Sequence, residues 1–264
     1  MSSVVPPMGV EGKRVLLTGG ARGIGRAAVE VLCSHGAHIV SFDVIDDDGD
    51  DVAQRAAAAG PGSAQFRHVD IARRDEVFEA VAWAAERLGG IDAVLNIAGI
   101  ERRTAIEDMT EPQLDEVFGV NLKGTLFMCQ AALPYLRVQG GSIVNFGSGA
   151  GLKPYPLGAH YSSAKAAVMA FTRCAAHEWG ADGIRVNSVA PAIWTPMYDE
   201  YRNRLSADEL DAHDARRRAE IPLGGKQGDP AADLAPVLVF LISDASRFVT
   251  GQILAVNGGS LCVR

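Results

Sequence analysis

Short apolar runs alternate with longer segments of helical periodicity along most of this chain. Runs of this length that end in polar or glycine residues predict buried strands. The predicted strands are residues 13–17, 38–42, 64–69, 93–95, 142–146, 185–189 and 253–256. The predicted helices are residues 26–34, 53–59, 75–88, 110–137, 161–179, 206–220 and 229–243. Strand and helix taking turns predicts an α/β fold with a parallel, doubly wound sheet.

The chain has 264 residues and no segment with the composition of a linker. We therefore expect one domain over residues 1–264, with an N-terminal extension at 1–11. The alternation is interrupted at about 192–225, where prolines fix an extended loop and a polar helix follows. We interpret that interruption as a substrate loop or lid.

A glycine-rich turn connects the first predicted strand to the first helix. Its sequence, Thr18 to Gly25, has glycines at 19, 23 and 25. Glycine lets the backbone turn tightly and approach a ligand, and free N–H groups at a helix start favour a phosphate. The turn is thus a candidate phosphate site, although glycine turns also serve as plain connectors.

Asp43 ends the second predicted strand, eighteen residues after Gly25. In a dinucleotide fold a carboxylate here accepts hydrogen bonds from ribose hydroxyls and repels a 2′-phosphate, which favours NAD over NADP. Arg22 favours the opposite choice, because an arginine near that ribose can pair with the phosphate. The acids at 46, 47, 48, 50 and 51 are interpreted as a solvated loop and helix start.

Other polar side chains also follow predicted strands. Asp70, Asn96 and Ser148 stand at such positions, and ligands of a doubly wound sheet lie at the carboxyl ends of its strands. Asn121 lies between Gly119 and Gly124 inside a helical pattern. These are poor helix formers, so we expect either a loosened exposed turn or a kink that turns backbone groups toward a ligand.

Tyr161 and Lys165 are four residues apart, so they share one face of a helix. A nearby ammonium favours a phenolate, and we expect Lys165 to lower the pKa of Tyr161. Tyr161 is then a candidate acid/base catalyst, and the Ser148 hydroxyl could hold a substrate oxygen against it. Taken alone, the pair also fits a half-buried tyrosine beside a solvated lysine.

Composition narrows the class of protein. The net charge is −7 and the longest basic block is three residues, so we expect no nucleic-acid partner. The four cysteines are scattered, and no segment has the length and apolarity of a membrane span or a secretory leader. We expect a cytoplasmic protein without a membrane partner. His160 and His213 have no accompanying ligand set, so no metal is predicted.

Jointly, these motifs resemble the short-chain dehydrogenase/reductase family over nearly the whole chain. The resemblance rests on the turn Thr18–Gly25, Asp70, Asn96-Ile97-Ala98-Gly99, Asn121, Ser148, Tyr161-x-x-x-Lys165 and Pro191–Thr195. It implies a single Rossmann-type domain with a seven-stranded parallel sheet and a nicotinamide cofactor. It also implies a catalytic tetrad, in which Asn121 organises a water relay and Ser148 positions the substrate oxygen. Tyr161 would exchange the proton, and Lys165 would bind the nicotinamide ribose and bias Tyr161.

The resemblance further implies which residues contact the cofactor. Those on the pyrophosphate side are Gly19, Gly23, Ile24 and Gly25; those on the adenosine side are Arg22, Asp43, Asp70, Ile71, Asn96, Ala98 and Gly99; those near the nicotinamide are Tyr161, Lys165, Pro191, Ile193 and Thr195. Three positions depart from the family pattern: Ile97 replaces Asn, Gly147 replaces Ser and Ala192 replaces Gly. Ala192 restricts the backbone, so the contacts of Ile193 and Thr195 are less secure than the tetrad.

The leading interpretation is an NAD-dependent oxidoreductase that interconverts a secondary alcohol and a ketone. The alternatives are an NADPH-dependent 3-oxoacyl or related ketone reductase and, more remotely, a nonenzymatic nucleotide sensor. Candidate residues of the substrate cleft are Ile100, Glu101, Arg102, Lys153, Tyr155, Leu157, Trp194, Met197 and Tyr198. Family likeness and the two long helical patterns also predict a homo-oligomer, most simply a tetramer.

Overall fold

A computed structural model describes residues 9–261, so most of the predicted N-terminal extension at 1–11 lies outside the described residues. Seven strands form the sheet. Their bounds are β1 Arg14–Thr18, β2 His38–Asp43, β3 Ser63–His68, β4 Ala93–Asn96, β5 Gly141–Phe146, β6 Ile184–Pro191 and β7 Ile253–Val256. Each lies within about two residues of a predicted strand. The central strands are mostly buried, as apolar runs in a parallel sheet are, whereas β3 and β7 at the edges are only partly buried.

The seven strands make one parallel sheet in the order β3-β2-β1-β4-β5-β6-β7. The strand order reverses between β1 and β4, where the chain returns from one edge of the sheet to its centre. Carboxyl ends of all the strands therefore meet along one edge, with Thr18, Asp43 and Asn96 as last residues of β1, β2 and β4. The predicted seven-stranded, doubly wound Rossmann-type fold is confirmed.

Nine α-helices connect the strands within the described residues. Their bounds are α1 Gly23–Ser34, α2 Asp46–Ala59, α3 Arg74–Leu88, α4 Glu111–Phe118, α5 Thr125–Leu136, α6 Ala159–Trp179, α7 Pro196–Arg202, α8 Ala207–Glu220 and α9 Ala235–Ile242. Side chains of α3, α5 and α6 pack on one face of the sheet, whereas α1, α2 and α9 pack on the other. Two apolar layers thus enclose the central strands.

The predicted helix over 110–137 is interrupted at Gly119–Gly124, which forms a π-helical segment between α4 and α5. Thr110 caps α4 through the predicted capping box. A Cβ on Gly124 would lie 2.7 Å from Cδ1 of Ile71, so this glycine lets the segment pack on the loop after β3. π-helical turns often occur at functional sites, and this one contains Asn121.

Two elements differ from the sequence prediction. Helix α2 begins at Asp46 and not at the predicted residue 53. Of the acids interpreted as a solvated loop and helix start, Asp46, Asp47 and Asp48 form its first turn, where the helix dipole favours negative charge. Helix α7 stands where an extended loop was predicted: Thr195 caps it and Pro196 takes the first helical position, which suits the fixed φ of proline. The predicted polar helix after it is confirmed as α8, with a capping box at Ser206.

Candidate active site

Tyr161 and Lys165 lie one turn apart on α6, beside the carboxyl end of β5. The Lys165 side chain is almost completely buried, and its Nζ donates to the backbone oxygen of Phe146 at 2.9 Å. The same Nζ lies 5.8 Å from the centroid of the Tyr161 ring. The predicted shared helix face is therefore present, with the last residue of β5 holding the ammonium near the phenol.

Burial shifts both groups toward their neutral forms. It raises the pKa of Tyr161 to about 12 and lowers the pKa of Lys165 to about 8. The negative charge of Glu101 also raises the pKa of the phenol, whereas a hydrogen bond with Ser148 acts in the opposite direction. The sequence led us to expect a lowered pKa for Tyr161, but burial of the phenol raises it instead.

Ser148 follows β5 and opens a short 3₁₀ turn, whose Ala150 N–H donates to its Oγ at 3.1 Å. Gly147, one of the departures from the family pattern, has a packing reason. Its N–H donates to Ser188 Oγ at 3.1 Å, and a Cβ there would lie 2.8 Å from Cγ of Met169. A serine at this position would collide with the core behind the site.

Asn121 connects the π-helical segment to the loop after β4. Its Oδ1 accepts from the N–H of Ile100 and its Nδ2 donates to the carbonyl of Ile100, both at 2.8 Å. A Cβ on Gly99 would lie 3.0 Å from Asn121 Oδ1 and 3.1 Å from Lys165 Nζ. The structure therefore brings Gly99, which was predicted on the adenosine side, next to Asn121 and Lys165.

The glycine turn between β1 and α1 is closely packed. Gly19 has φ +77°, and a Cβ on it would lie 2.9 Å from the backbone of Ala98. A Cβ on Gly25 would lie only 1.8 Å from the carbonyl oxygen of Gly19. No group within the described residues accepts a hydrogen bond from the backbone N–H of Gly23, Ile24 or Gly25. This arrangement fits a dinucleotide pyrophosphate.

Asp43, at the end of β2, is fixed by backbone donors on both of its oxygens. The N–H of Ala21 in the glycine turn donates to Oδ2 at 3.0 Å, and the N–H of Val44 donates to Oδ1 at 2.7 Å. Arg22, the residue that would favour NADP by pairing with a 2′-phosphate, pairs with Asp48 on α2. Its pKa is raised mainly by that pair.

Of the other residues predicted on the adenosine side, some lie in loops and some point into the core. Asp70 Oδ1 accepts from Ala72 N–H, and Ile71 is buried. Asn96 points into the core, where its Nδ2 donates to Asn145 Oδ1 at 2.8 Å. Its side chain therefore links β4 to β5 rather than facing the turn. Ala98 donates its N–H to the Thr18 hydroxyl.

The late loop packs against the glycine turn. Beyond Pro191, the last residue of β6, the N–H of Ala192 donates to the Val256 carbonyl at 2.9 Å and Ile193 is buried. A Cβ on Gly23 would lie 3.3 Å from Pro196 and 3.8 Å from Cβ of Thr195. Thr195, a predicted nicotinamide contact that also caps α7, therefore lies next to Gly23, a predicted pyrophosphate contact.

On the substrate side, a polar cluster surrounds Tyr161. The Tyr155 ring lies 6.2 Å from the Tyr161 ring, and its hydroxyl donates to Glu101 Oε1 at 2.7 Å. Arg103 donates to the Tyr155 oxygen at 3.1 Å and also stands over the ring of Tyr201 on α7. Sequence analysis missed Arg103 and Tyr201, since neither belongs to a motif.

Other predicted cleft residues differ in their surroundings. Arg102 pairs with Glu116, whereas Lys153, Leu157 and Met197 are exposed. Among residues 9–261 no group of three or more His, Cys, Asp or Glu side chains has the arrangement of a metal site.

An aromatic cluster connects α7 to α8 in the predicted lid. Trp194 packs edge-on against Tyr198 with ring centroids 5.0 Å apart, and the Tyr198 hydroxyl lies 2.7 Å from Nε2 of His213. Arg202 stands over Trp194 and pairs with Asp214 of α8. His213 therefore has a structural partner, and burial lowers its pKa.

The family described as Enoyl-(Acyl carrier protein) reductase matches residues 19–260 of this chain. In the solved structures, a short-chain type dehydrogenase/reductase from Mycobacterium ulcerans superposes with a TM-score of 0.87 and 29% identity, covering 96% of this chain and 90% of the other. This chain belongs to the short-chain dehydrogenase/reductase family.

Two curated relatives of this short-chain dehydrogenase/reductase describe the chemistry. The 3-oxoacyl-(acyl-carrier-protein) reductase of Thermotoga maritima is 35% identical over 254 residues, covering 96% of this chain and 99% of the relative. The trans-4-hydroxycyclohexanecarboxylate dehydrogenase of Sinomonas cyclohexanicum is 34% identical over 253 residues, with coverage of 94% and 92%. The protein is an oxidoreductase that interconverts alcohols and ketones with a nicotinamide cofactor. Within residues 9–261, every helix is too short or too polar to cross a bilayer.

Proposed function

We propose that this protein is an NAD-dependent dehydrogenase of a secondary alcohol, and that Asp43 selects the cofactor. The supporting observation is the anchored carboxylate. Backbone N–H groups of Ala21 and Val44 hold both oxygens of Asp43 beside the glycine turn. Each carboxylate oxygen has a further lone pair for a ribose hydroxyl, and a 2′-phosphate there would meet a fixed negative charge.

The surroundings of Arg22 support the same choice. Its guanidinium is engaged by Asp48, and Asp43 and Glu200 add further negative charge nearby. An arginine that pairs with a carboxylate must give up that pair before it binds a phosphate. The region therefore favours NAD.

The proposed chemistry divides the reaction between cofactor and protein. The nicotinamide ring, when bound, accepts the hydride from the alcohol carbon or returns it to the ketone. Tyr161 exchanges the proton with the substrate oxygen, and Ser148 holds that oxygen beside it. Since burial raises the pKa of Tyr161 to about 12, its phenol is protonated at neutral pH and ready to donate during ketone reduction.

Lys165 and Asn121 support this step. The Phe146 carbonyl orients the Lys165 ammonium, which would hold the nicotinamide ribose and favour the phenolate form of Tyr161 during alcohol oxidation. Asn121 fixes the backbone of Ile100 and opens the helix around it. A water relay from Lys165 toward solvent would start at this opening.

Replacing Asp43 tests the proposed cofactor choice. In wild type we expect kcat/KM to be at least about tenfold higher with NAD than with NADP, which is about 1.4 kcal/mol of discrimination. Asp43→Asn should move preference toward NADP, and Asp43→Asn with Asp48→Asn should move it further by freeing Arg22. Asp50→Asn, on the exposed face of α2, is the matched control. Equal efficiency with NADP in wild type would overturn the proposal.

The second candidate is an NADPH-dependent 3-oxoacyl reductase, favoured by the likeness to the Thermotoga maritima enzyme. In this chain Arg22 would have to release Asp48 to bind a 2′-phosphate. The same kinetic assay with an acetoacetyl thioester and NADPH tests it directly. Efficient reduction of that thioester with NADPH, together with no NAD-dependent alcohol oxidation, would favour the second candidate.

We further propose that the chain acts as one catalytic domain in the cytoplasm, with residues 192–225 as a lid over the substrate. Supporting this, α7 and α8 are joined by the Trp194, Tyr198 and His213 cluster and reach the substrate side through Tyr201. A homotetramer is the proposed assembly.

A further inference from the structure

Glu101 is an acidic side chain at the substrate side of the catalytic tyrosine. It follows Gly99 and Ile100 in the loop after β4, where the tetrad residues Asn121 and Lys165 meet the backbone. Its side chain is only 19% exposed. Its charge reaches the Tyr161 phenol and raises the pKa of that group. Tyr155 holds this carboxylate and packs against Tyr161, so Glu101 lies close to the group that would meet a substrate oxygen.

Only one of the two carboxylate oxygens is engaged by the described residues. The Tyr155 hydroxyl donates to Oε1 at 2.7 Å, and Arg103 Nη1 lies 3.6 Å from the same oxygen. No hydrogen bond within residues 9–261 uses Oε2. Burying a carboxylate oxygen without a donor is costly, so a bound molecule that covers this oxygen has to supply a donor.

Tyr155 connects the two groups. Its ring lies 6.2 Å from the Tyr161 ring, and its hydroxyl donates to Glu101 Oε1 at 2.7 Å. Tyr161 and Glu101 are therefore neighbours of the same aromatic residue. A substrate with two hydroxyl groups is the simplest molecule that meets both.

The charges around Glu101 decide which donor fits. Arg103 already pairs with this carboxylate at 3.6 Å, so a cationic group would also meet the Arg103 guanidinium, while an anionic group would meet the negative charge at the free oxygen of Glu101. A neutral hydroxyl donates one hydrogen bond to Oε2 and adds no charge. This argument rests on the proposed function, because it takes Tyr161 as the group that meets the reacting oxygen.

We propose that the substrate is a polyhydroxylated secondary alcohol, such as a cyclic diol, whose second hydroxyl donates to Glu101 Oε2 while the first reacts at Tyr161. Glu101 is then the specificity-determining residue for a second hydroxyl. Tyr155 and Arg103 hold its side chain in place.

The test compares matched alcohols. The kcat/KM of the purified protein is measured with NAD for cyclohexanol and for the 1,2-, 1,3- and 1,4-cyclohexanediols. A hydrogen bond to a charged group contributes about 1.5–3 kcal/mol, so at least one diol should exceed cyclohexanol by about 10- to 100-fold. Glu101→Leu should lower that ratio by at least about tenfold. Glu107→Gln, an exposed acid on the same loop, is the control and should leave the ratio unchanged.

Glu101→Gln gives a second measurement, the pH profile of alcohol oxidation, which would not change if Glu101 had only a structural role. The groups facing Tyr161 are Lys165 on its own helix, Ser148 and Tyr155 from the loop after β5, and Glu101 with Arg103 from the loop after β4. Removing the negative charge should lower the pKa of Tyr161 and move the pH profile of alcohol oxidation to lower pH. It should also reduce the diol preference less than Glu101→Leu does, because an amide oxygen remains.

The outcomes separate this inference from the proposed function. If wild type oxidises cyclohexanol and every diol with equal efficiency, or if Glu101→Leu leaves the ratio unchanged, the inference is wrong and the dehydrogenase proposal stands. If wild type oxidises none of these alcohols with NAD or NADP, the inference is wrong, and the dehydrogenase proposal is then tested with other secondary alcohols. Should Glu101→Leu not fold, Glu101→Gln decides: an unchanged ratio together with an unchanged pH profile overturns the role of Glu101.

Discussion

Burial shifts the pKa values of Tyr161 and Lys165 in opposite directions. Burial disfavours charge on either group, so the pKa of the phenol rises to about 12 and the pKa of the ammonium falls to about 8. At neutral pH the tyrosine is a protonated acid and the lysine is still mostly charged. In the proposed mechanism, ketone reduction then has its proton donor ready, whereas alcohol oxidation requires the phenolate and should accelerate as pH rises.

Tyr161→Phe should separate binding from chemistry. The ring of the variant still packs against Tyr155, so the dissociation constant for NADH, measured by fluorescence titration, should stay close to wild type. Turnover should fall by about 10²–10⁴-fold, the usual contribution of general acid/base catalysis. A loss of less than about tenfold in a chemistry-limited assay would contradict the proposed role.

At the scale of elements, the π-helical segment positions the loop that holds Gly99 and Glu101. Asn121 uses both ends of its side-chain amide on the backbone of Ile100. This contact fixes the start of the loop after β4 relative to α4 and α5. The sequence predicted a break in the helix from Gly119, Gly124 and the asparagine between them. It did not predict that Asn121 would bond to Ile100, because Ile100 is distant in sequence and only the fold brings the two together.

Asn121→Ala tests that positioning role. The substitution leaves the N–H and carbonyl of Ile100 without their partner, and each unpaired buried group costs about 1–3 kcal/mol. We therefore expect the free energy of unfolding, measured by urea denaturation, to fall by at least about 1 kcal/mol, with lower turnover. Asn203→Ala, at an exposed position after α7, should change neither. Unchanged stability in Asn121→Ala would mean that the Ile100 contact does not hold the loop.

Most strands and the order of the motifs could be predicted because strand burial and glycine turns are local properties of the sequence. The predicted bound of α2 at residue 53 was too late, because a run of acids resembles a loop unless the helix dipole is considered. Helix α7 was missed because two prolines suggested an extended loop. The pKa of Tyr161 and the contacts of Arg103 depend on burial and on distant loops, which periodicity does not report.

For the whole molecule, the parallel sheet brings residues from distant parts of the chain to one edge. Asp43, Gly99, Ser148 and Pro191 follow or end four different strands. The opposite surface has a different character. Phe248 is fully exposed, and Val138, after α5, is 81% exposed. Large apolar side chains exposed on a surface are typical of protein contacts.

The proposed tetramer accounts for these side chains and gives the last prediction. Light scattering coupled to size-exclusion chromatography should report about four times the 27.9 kDa of one chain. Phe248→Arg should shift the protein to smaller species, because a charge at a packed apolar contact is costly. Its far-UV circular dichroism should stay unchanged, since Phe248 contributes nothing to the core of its own chain. Leu223→Arg, at an exposed position beyond α8, tests whether any surface charge has this effect. A stable monomer in wild type at micromolar concentration would contradict the tetramer, and the apolar surface would then need another partner.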